Sequence, residues 1–326
     1  MNEKYRSLLD QYDLQVNRMK RGRGEMICDT NQGLFALSKT KLSQERIEEE
    51  YQWKLNLMGQ GMYRIDQYIK NKENNFISYN KYYEPFVMRR SYRGSECDIH
   101  SHKDLGRTAE NLAYFHKVSR GIEPNESQED RKGILIEQFG QHERELKNIQ
   151  KFIQKKKNKG AFEYLFLEEA GESLFQMKYS IEKMKELSYE GFGWCHGSYN
   201  HHKVILGKKE IATTHFERFY YGYPMVDVYY FLRKVLEKNN YDFGYTISVL
   251  NGYEKIKPLK SEDYTFLYLL FCYPEKFWRI SNQYMNHKKC WVLPRYLNKL
   301  TEFVELNKKR KEFLDKYLTN FNVILG

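Results

Sequence analysis

Gly191-Phe-Gly-Trp-Cys-His-Gly-Ser-Tyr-Asn-His-His-Lys-Val-Ile-Leu206, followed after a Gly207-Lys-Lys209 turn by Ile211-Ala-Thr-Thr-His-Phe-Glu217, is the stretch on which the fold turns. Its first half reads as a glycine-rich loop, and the short apolar runs 204–206 and 211–214 read as a hairpin. The surroundings carry a helical period instead. Upstream, Leu105, Ala109, Leu112, Ala113 and His116 share one face of 104–116, and Ile149, Phe152 and Ile153 do the same before the basic run 155–159. Residues 161–187 then place Phe162, Leu165, Phe166, Ala170, Leu174, Met177, Ile181 and Met184 at the spacing of one long amphipathic helix. Beyond Val226 the pattern is helical again. A loop and hairpin are thus set into a helical lobe.

Toward the N-terminus the period changes to that of strands. Runs at 14–19, 26–28 and 34–37, the last two joined by Asp29-Thr-Asn-Gln-Gly33, form a three-strand meander, and further strands are expected around 63–69 and 84–90 with a short run at 76–78. One helix interrupts them: Ile47, Tyr51, Leu55 and Met58 line a stripe behind Ser43, an N-cap candidate. The expectation is an α+β, two-lobed chain. Residues 1–92 would form a small antiparallel-sheet lobe of five strands with one helix, and 93–326 a larger helical lobe carrying the loop segment 191–217.

Composition narrows the function classes. The 326 residues carry 54 Lys plus Arg against 43 Asp plus Glu, a formal net charge of +11, so acidic partners are favoured. At 41% hydrophobic and 16% aromatic the chain can bury a core, which rules out intrinsic disorder. No apolar stretch has the length of a bilayer span and no export signal opens the sequence. Cys28, Cys97, Cys195, Cys272 and Cys290 are odd in number and never paired as CxxC, so neither a disulfide framework nor a zinc ribbon is expected.

The order sheet lobe, helical lobe, His-Gly loop and hairpin resembles the protein-kinase-like fold in its small-molecule branch. His196-Gly-Ser-Tyr-Asn-His-His-Lys-Val-Ile-Leu206 is similar to the HGDxxxxNxL pattern of aminoglycoside and choline kinases, and Thr213-Thr-His-Phe-Glu217 to the Asp-Phe-Asp/Glu segment that follows it. Pro224-Met-Val-Asp227 looks like the helix start that supports the catalytic loop in those enzymes. More narrowly, the chain resembles the CotS family of spore coat proteins from spore-forming Firmicutes. This likeness rests on Tyr92-Arg-Gly-Ser-Glu-Cys-Asp98, Ala109-Glu-Asn-Leu-Ala-Tyr-Phe-His116, the Cys-His-Gly loop, Asn251-Gly-Tyr253 and Tyr273-Pro-Glu-Lys-Phe-Trp278.

Against that pattern the chemistry has been dismantled. Phosphoryl transfer needs a carboxylate base, an Asn and an Asp on Mg²⁺, and a strand Lys on the nucleotide phosphates. Here Ser198, Lys203 and His215 stand at the first three positions. Ser38 aligns with the strand Lys, although Lys39 is adjacent and a one-residue slip would turn it to the other face. Glu50 is the acidic helix partner that survives. A Lys ammonium cannot ligate a hard cation, so no catalytic residue, metal, ATP or other cofactor is expected. The cleft-lining candidates are His196, Ser198, Lys203, His215, Glu217, Glu50, Lys39 and Asp227, with Lys203 facing Glu217 in place of the metal. The histidines at 196, 201, 202 and 215 lack a known ligand spacing, and the basic turn Lys20-Arg-Gly-Arg-Gly24 lacks a phosphate-cradling GxGxxG. Aromatics at 271, 277, 278, 284 and 291 read as packing rather than as a nucleic-acid platform.

What the resemblance implies is a pseudokinase made in the mother-cell cytoplasm and deposited in the spore coat, working by association with other coat proteins. The basic runs 155–159 and 308–311 would face an acidic protein or polyanion; nucleic acid is not the expected partner. The alternatives are a small-molecule or sugar phosphotransferase using Glu217, Asp227 and Lys39, and a non-catalytic nucleotide or sugar sensor.

Overall fold

The computed structural model describes residues 3–126, 134–208, 210–287 and 294–325. Cys290 and Trp291 lie outside them. The chain divides into two compact units, one of residues 1–123 with 196–219, the other of 124–195 with 220–326. The first therefore takes in the hairpin as well as everything assigned above to the N-terminal lobe.

In the first unit, β1 (Val16–Arg21), β2 (Met26–Thr30) and β3 (Gly33–Lys39) form the expected meander. The sheet continues through β6 (Pro85–Arg90) to β4 (Tyr68–Ile69), and β5 (Ile77–Tyr79) also pairs with β6, giving six antiparallel strands. The period of two then sorts side chains. Phe35 and Leu37 on β3 and Phe86 and Met88 on β6 pack with Leu8, Leu9 and Tyr12 on one face. Leu8 and Leu9 close α1 (Glu3–Leu9), a helix too short to show a period in sequence. Val87 instead packs with Ile47, Tyr68 and Phe76 on the opposite face, under α2 (Gln44–Gly59). Ser43 caps α2 as expected, accepting from the Arg46 N–H.

Trp53 of α2 stacks on Phe219 with centroids 4.6 Å apart and meets Phe115 and Phe216, so the helix is fixed against residues 213–219 by aromatic packing. A second sheet joins β7 (Ser95–Glu96), β9 (Val204–Leu206) and β10 (Ile211–Thr213). It rests on α3 (His102–Val118): Asn111 donates to Thr213 Oγ1 at 2.7 Å, and Tyr199 to the Thr108 carbonyl at 2.8 Å.

The second unit is helical, from α4 (Ile134–Lys155) and α5 (Ala161–Leu187) through α6 (Pro224–Lys238), α7 (Phe243–Glu254), α8 (Ser261–Cys272), α9 (Glu275–Met285) and α10 (Pro294–Asn320). A strand pair, β8 (Gly193–Cys195) with β11 (Tyr220–Gly222), completes it. Phe271, Phe277 and Tyr284 are buried, and the half-buried Trp278 donates to Glu145 and stacks on His142. They pack, as expected. One surface expectation fails: Arg310 of the basic run 308–311 is buried, donating to the Phe271 and Cys272 carbonyls at 2.7 and 3.0 Å. These are orphan acceptors at the end of α8, and a guanidinium is suited to satisfy them.

Candidate functional site

The site is assembled within the first unit, from β3, β6, α2, the residues before β4, and segment 196–217. Its centre is Arg89. This residue shares a face with Val87 and alternates with Met88 on a strand paired on both sides, which buries its guanidinium on the α2 face of the sheet at 3% exposure. There it donates to Ser38 Oγ at 3.0 Å, pairs with Glu217, and lies 3.4 Å from Asp66 Oδ2. The Ser38 hydroxyl is thus taken by Arg89. Lys39, one residue on, points the other way and pairs at the surface with Glu84.

A second cation completes the cluster. Lys54 lies one turn after Glu50 on α2, fully buried, with Nζ 2.6 Å from Glu50 Oε1, 2.8 Å from Asp66 Oδ1 and 2.8 Å from the Asp66 carbonyl. Tyr68 donates to the other Glu50 oxygen at 2.9 Å. Glu50 is therefore satisfied by a lysine of its own helix. Asp66 is held from three sides, since the His215 N–H also donates to its Oδ2 at 2.7 Å. Burial works against the Lys54 charge, but Asp66 and Glu50 outweigh it and keep the ammonium protonated.

The loop residues join on one side. Lys203 Nζ donates to Ser198 Oγ at 2.5 Å and to the His215 carbonyl at 3.4 Å. Burial pushes its ammonium down. Lys203 feels the Glu217 charge, which favours its ammonium, but the direct partner of that carboxylate is Arg89, because a strand residue facing α2 reaches it. Burial would push Glu217 up; the Arg89 and His215 charges hold it at about 2. Burial, with Arg89, pushes His215 down to about 4, leaving a neutral imidazole whose Nδ1 meets Thr214 Oγ1 at 2.9 Å. Its backbone is left-handed, φ 66°. Glu25 closes the cluster near Arg89 and His215, its carboxyl pushed up by burial.

His196 is fully buried, with Nε2 3.0 Å from the Thr214 carbonyl. Gly197 beside it has φ 74°, and a Cβ there would lie 2.0 Å from the Arg218 carbonyl oxygen, so the loop turn requires glycine. Asp227 belongs to α6 of the second unit, where it is buried near Cys195 and Tyr220. Among the described residues no three His, Cys, Asp or Glu side chains are grouped to hold a metal, and no helix is long and apolar enough to cross a membrane. His202 instead meets Glu96 at 2.5 Å.

Sequence reasoning missed Arg89, Asp66, Lys54 and Glu25. Two carried a signal: Lys54 follows Glu50 by four residues, the spacing of a helical ion pair, and Arg89 is a charge inside an apolar strand run.

The comparisons with known proteins agree with this framework. Among solved structures, the aminoglycoside phosphotransferase of Alicyclobacillus acidocaldarius subsp. acidocaldarius DSM 446 superposes with a TM-score of 0.79 at 16% identity, covering 95% of this chain and 94% of that one. Spectinomycin phosphotransferase gives 0.64 at 14% identity over 94% and 96%, and a microcompartment-associated aminopropanol kinase 0.60 at 11% over 98% of each. At such identities the likeness is one of fold. Spore coat protein S of Bacillus subtilis (strain 168) is 23% identical over 165 residues, 48% of this chain, and the match spans about half the length of that curated relative, 47%. The family model described as "Spore coat putative kinase YutH" matches residues 5–317. The chain thus has the kinase-like fold of the aminoglycoside phosphotransferases and belongs to the spore coat YutH family.

Proposed function

We propose that this chain is a pseudokinase: a kinase-fold protein that does not transfer phosphate and works by association within the spore coat or during its assembly. One observation carries the reading. The carboxylates of the cluster are committed to internal cations, Glu217 to Arg89, Asp66 to Lys54 and Arg89, and Glu50 to Lys54. The residues do not fit Mg²⁺-ATP. A divalent ion would have to compete with buried guanidinium and ammonium groups, and the ligand positions of the phosphotransferase pattern hold the Lys203 ammonium and an imidazole. The position of the base holds Ser198, whose hydroxyl accepts from Lys203.

The spore coat family and coat protein S support the coat as the place of action, with synthesis in the mother cell. Lys155, Lys308 and Lys309 are exposed, which suits an acidic coat protein or polyanion as the partner. Association with a coat extract should weaken as salt is raised; salt-insensitive binding would contradict the electrostatic part.

Titration calorimetry with ATP, with and without Mg²⁺, tests the rest. No heat in either case is expected. Mg²⁺-dependent binding with phosphoryl transfer would overturn the proposal, and metal-independent binding would move it to a nucleotide sensor.

A further inference from the structure

Ser198, Lys203 and His196 form an arrangement that the pseudokinase reading leaves unused. Ser198 Oγ lies 2.5 Å from Lys203 Nζ and 3.5 Å from His196 Nδ1. The Thr214 carbonyl, 3.0 Å from His196 Nε2, can only accept, so Nε2 carries the proton and Nδ1 turns its lone pair toward Ser198. Lys203 is fixed through its backbone: its N–H donates to the Asn200 carbonyl at 3.0 Å, and its carbonyl accepts from the Thr214 N–H at 2.9 Å. His196 is buried, whereas Ser198 is partly exposed. A hydroxyl within reach of a basic nitrogen is what an activated nucleophile requires.

We infer that Ser198 is a nucleophile activated by Lys203, and that the cluster carries acyl transfer from an activated ester. The neutral Lys203 amine takes the Ser198 proton as the bond from Oγ to the ester carbonyl carbon forms. The bond from that carbon to the leaving oxygen breaks, and the ammonium returns the proton to the departing alcohol. Water, deprotonated by the same amine, then cleaves the Ser198 ester. Ester and water become acid and alcohol, with no oxidant, reductant or metal. Burial lowers the pH at which Lys203 becomes neutral. The charged and titratable groups facing Lys203 are Glu217 and Asp66, which favour the ammonium, Arg89 and Arg218, which oppose it, and His215. The inference is independent of the pseudokinase reading, since a chain inert toward Mg²⁺-ATP can carry it.

The test uses the full chain with a fluorophosphonate probe, mapped by mass spectrometry, and p-nitrophenyl acetate as ester. The expected result is one adduct, on Ser198, and turnover that rises with pH as Lys203 loses its proton. Ser198→Ala should abolish the adduct and lower turnover at least about tenfold, as should Lys203→Met. Lys203→Arg keeps the charge but cannot deprotonate, so it should not rescue. An adduct elsewhere, no adduct, or full rate in Lys203→Arg would overturn the inference. Thermal melts check that each variant folds. Should the Lys203 variants not fold, the native protein decides: labelling at a rate independent of pH between about 6 and 10 overturns it.

Discussion

Replacing Arg89 by Met keeps the apolar stem of the side chain and removes the guanidinium that pairs with Glu217, Asp66 and Ser38. Two routes give the cost. Glu217 sits at about 2 in the folded chain against an ordinary 4.5, which is worth about 3 kcal/mol at neutral pH. Stripping one partner from a buried ion pair costs about 3–5 kcal/mol, and Asp66 keeps Lys54 and the His215 N–H, which favours the lower end. The expected loss is therefore about 3 kcal/mol, measured by urea denaturation with tryptophan fluorescence. Its pH dependence follows from the depressed carboxyl. The contribution is complete above 4.5 and disappears as pH falls toward 2, so the gap between wild type and variant should narrow through that window. Arg89→Met with Glu217→Gln should recover much of the loss, because the uncompensated charge goes too. A loss under about 1 kcal/mol at neutral pH, or a gap unchanged on acidification, would refute the assignment of Arg89 as the keystone of the cluster.

Other residues give sharper contrasts. Lys54→Met leaves Glu50 buried without its cation and Asp66 with Arg89 alone, and should cost about 3–5 kcal/mol in thermal or urea unfolding, whereas Lys39→Met breaks an exposed pair and should cost under about 1 kcal/mol; equal effects would sink the distinction. His215 has its folded value lowered to about 4 from 6.5, so it withdraws up to about 3 kcal/mol of stability as pH falls across that range. His215→Asn, which tolerates the left-handed backbone, should flatten stability against pH between those limits; an unaltered slope there would contradict it. Gly197→Ala sets a methyl against the Arg218 carbonyl at φ 74° and should cost more than about 2 kcal/mol, so an unchanged melting temperature would show that the loop has room.

The cluster also accounts for how this region holds so much negative charge. Two buried carboxylates, Glu50 and Asp66, and two half-buried ones, Glu25 and Glu217, meet Arg89 and Lys54, where burial works against unpaired charge. Arg89 and Lys54 supply from within the chain the positive charge that buried carboxylates need.

What the sequence determined by itself was local. The span of α5 at 161–187, the Ser43 cap of α2 and the strands 204–206 and 211–213 were legible because helical and strand periods are written in neighbouring residues. The loop at 196–203 was legible from a motif continuous in the chain. Which of Ser38 and Lys39 faces inward needed the register of β3 against β6, and that strand contact also placed Arg89 at Glu217, 128 positions away. Arg310 shows the same limit in reverse: it stands in a run of charges that reads as surface, and only helix packing buries it against α8. A charged side chain takes its meaning from the groups that surround it after collapse, and spacing along the chain does not record them. Tertiary structure therefore decided the partners of the charged residues in the site.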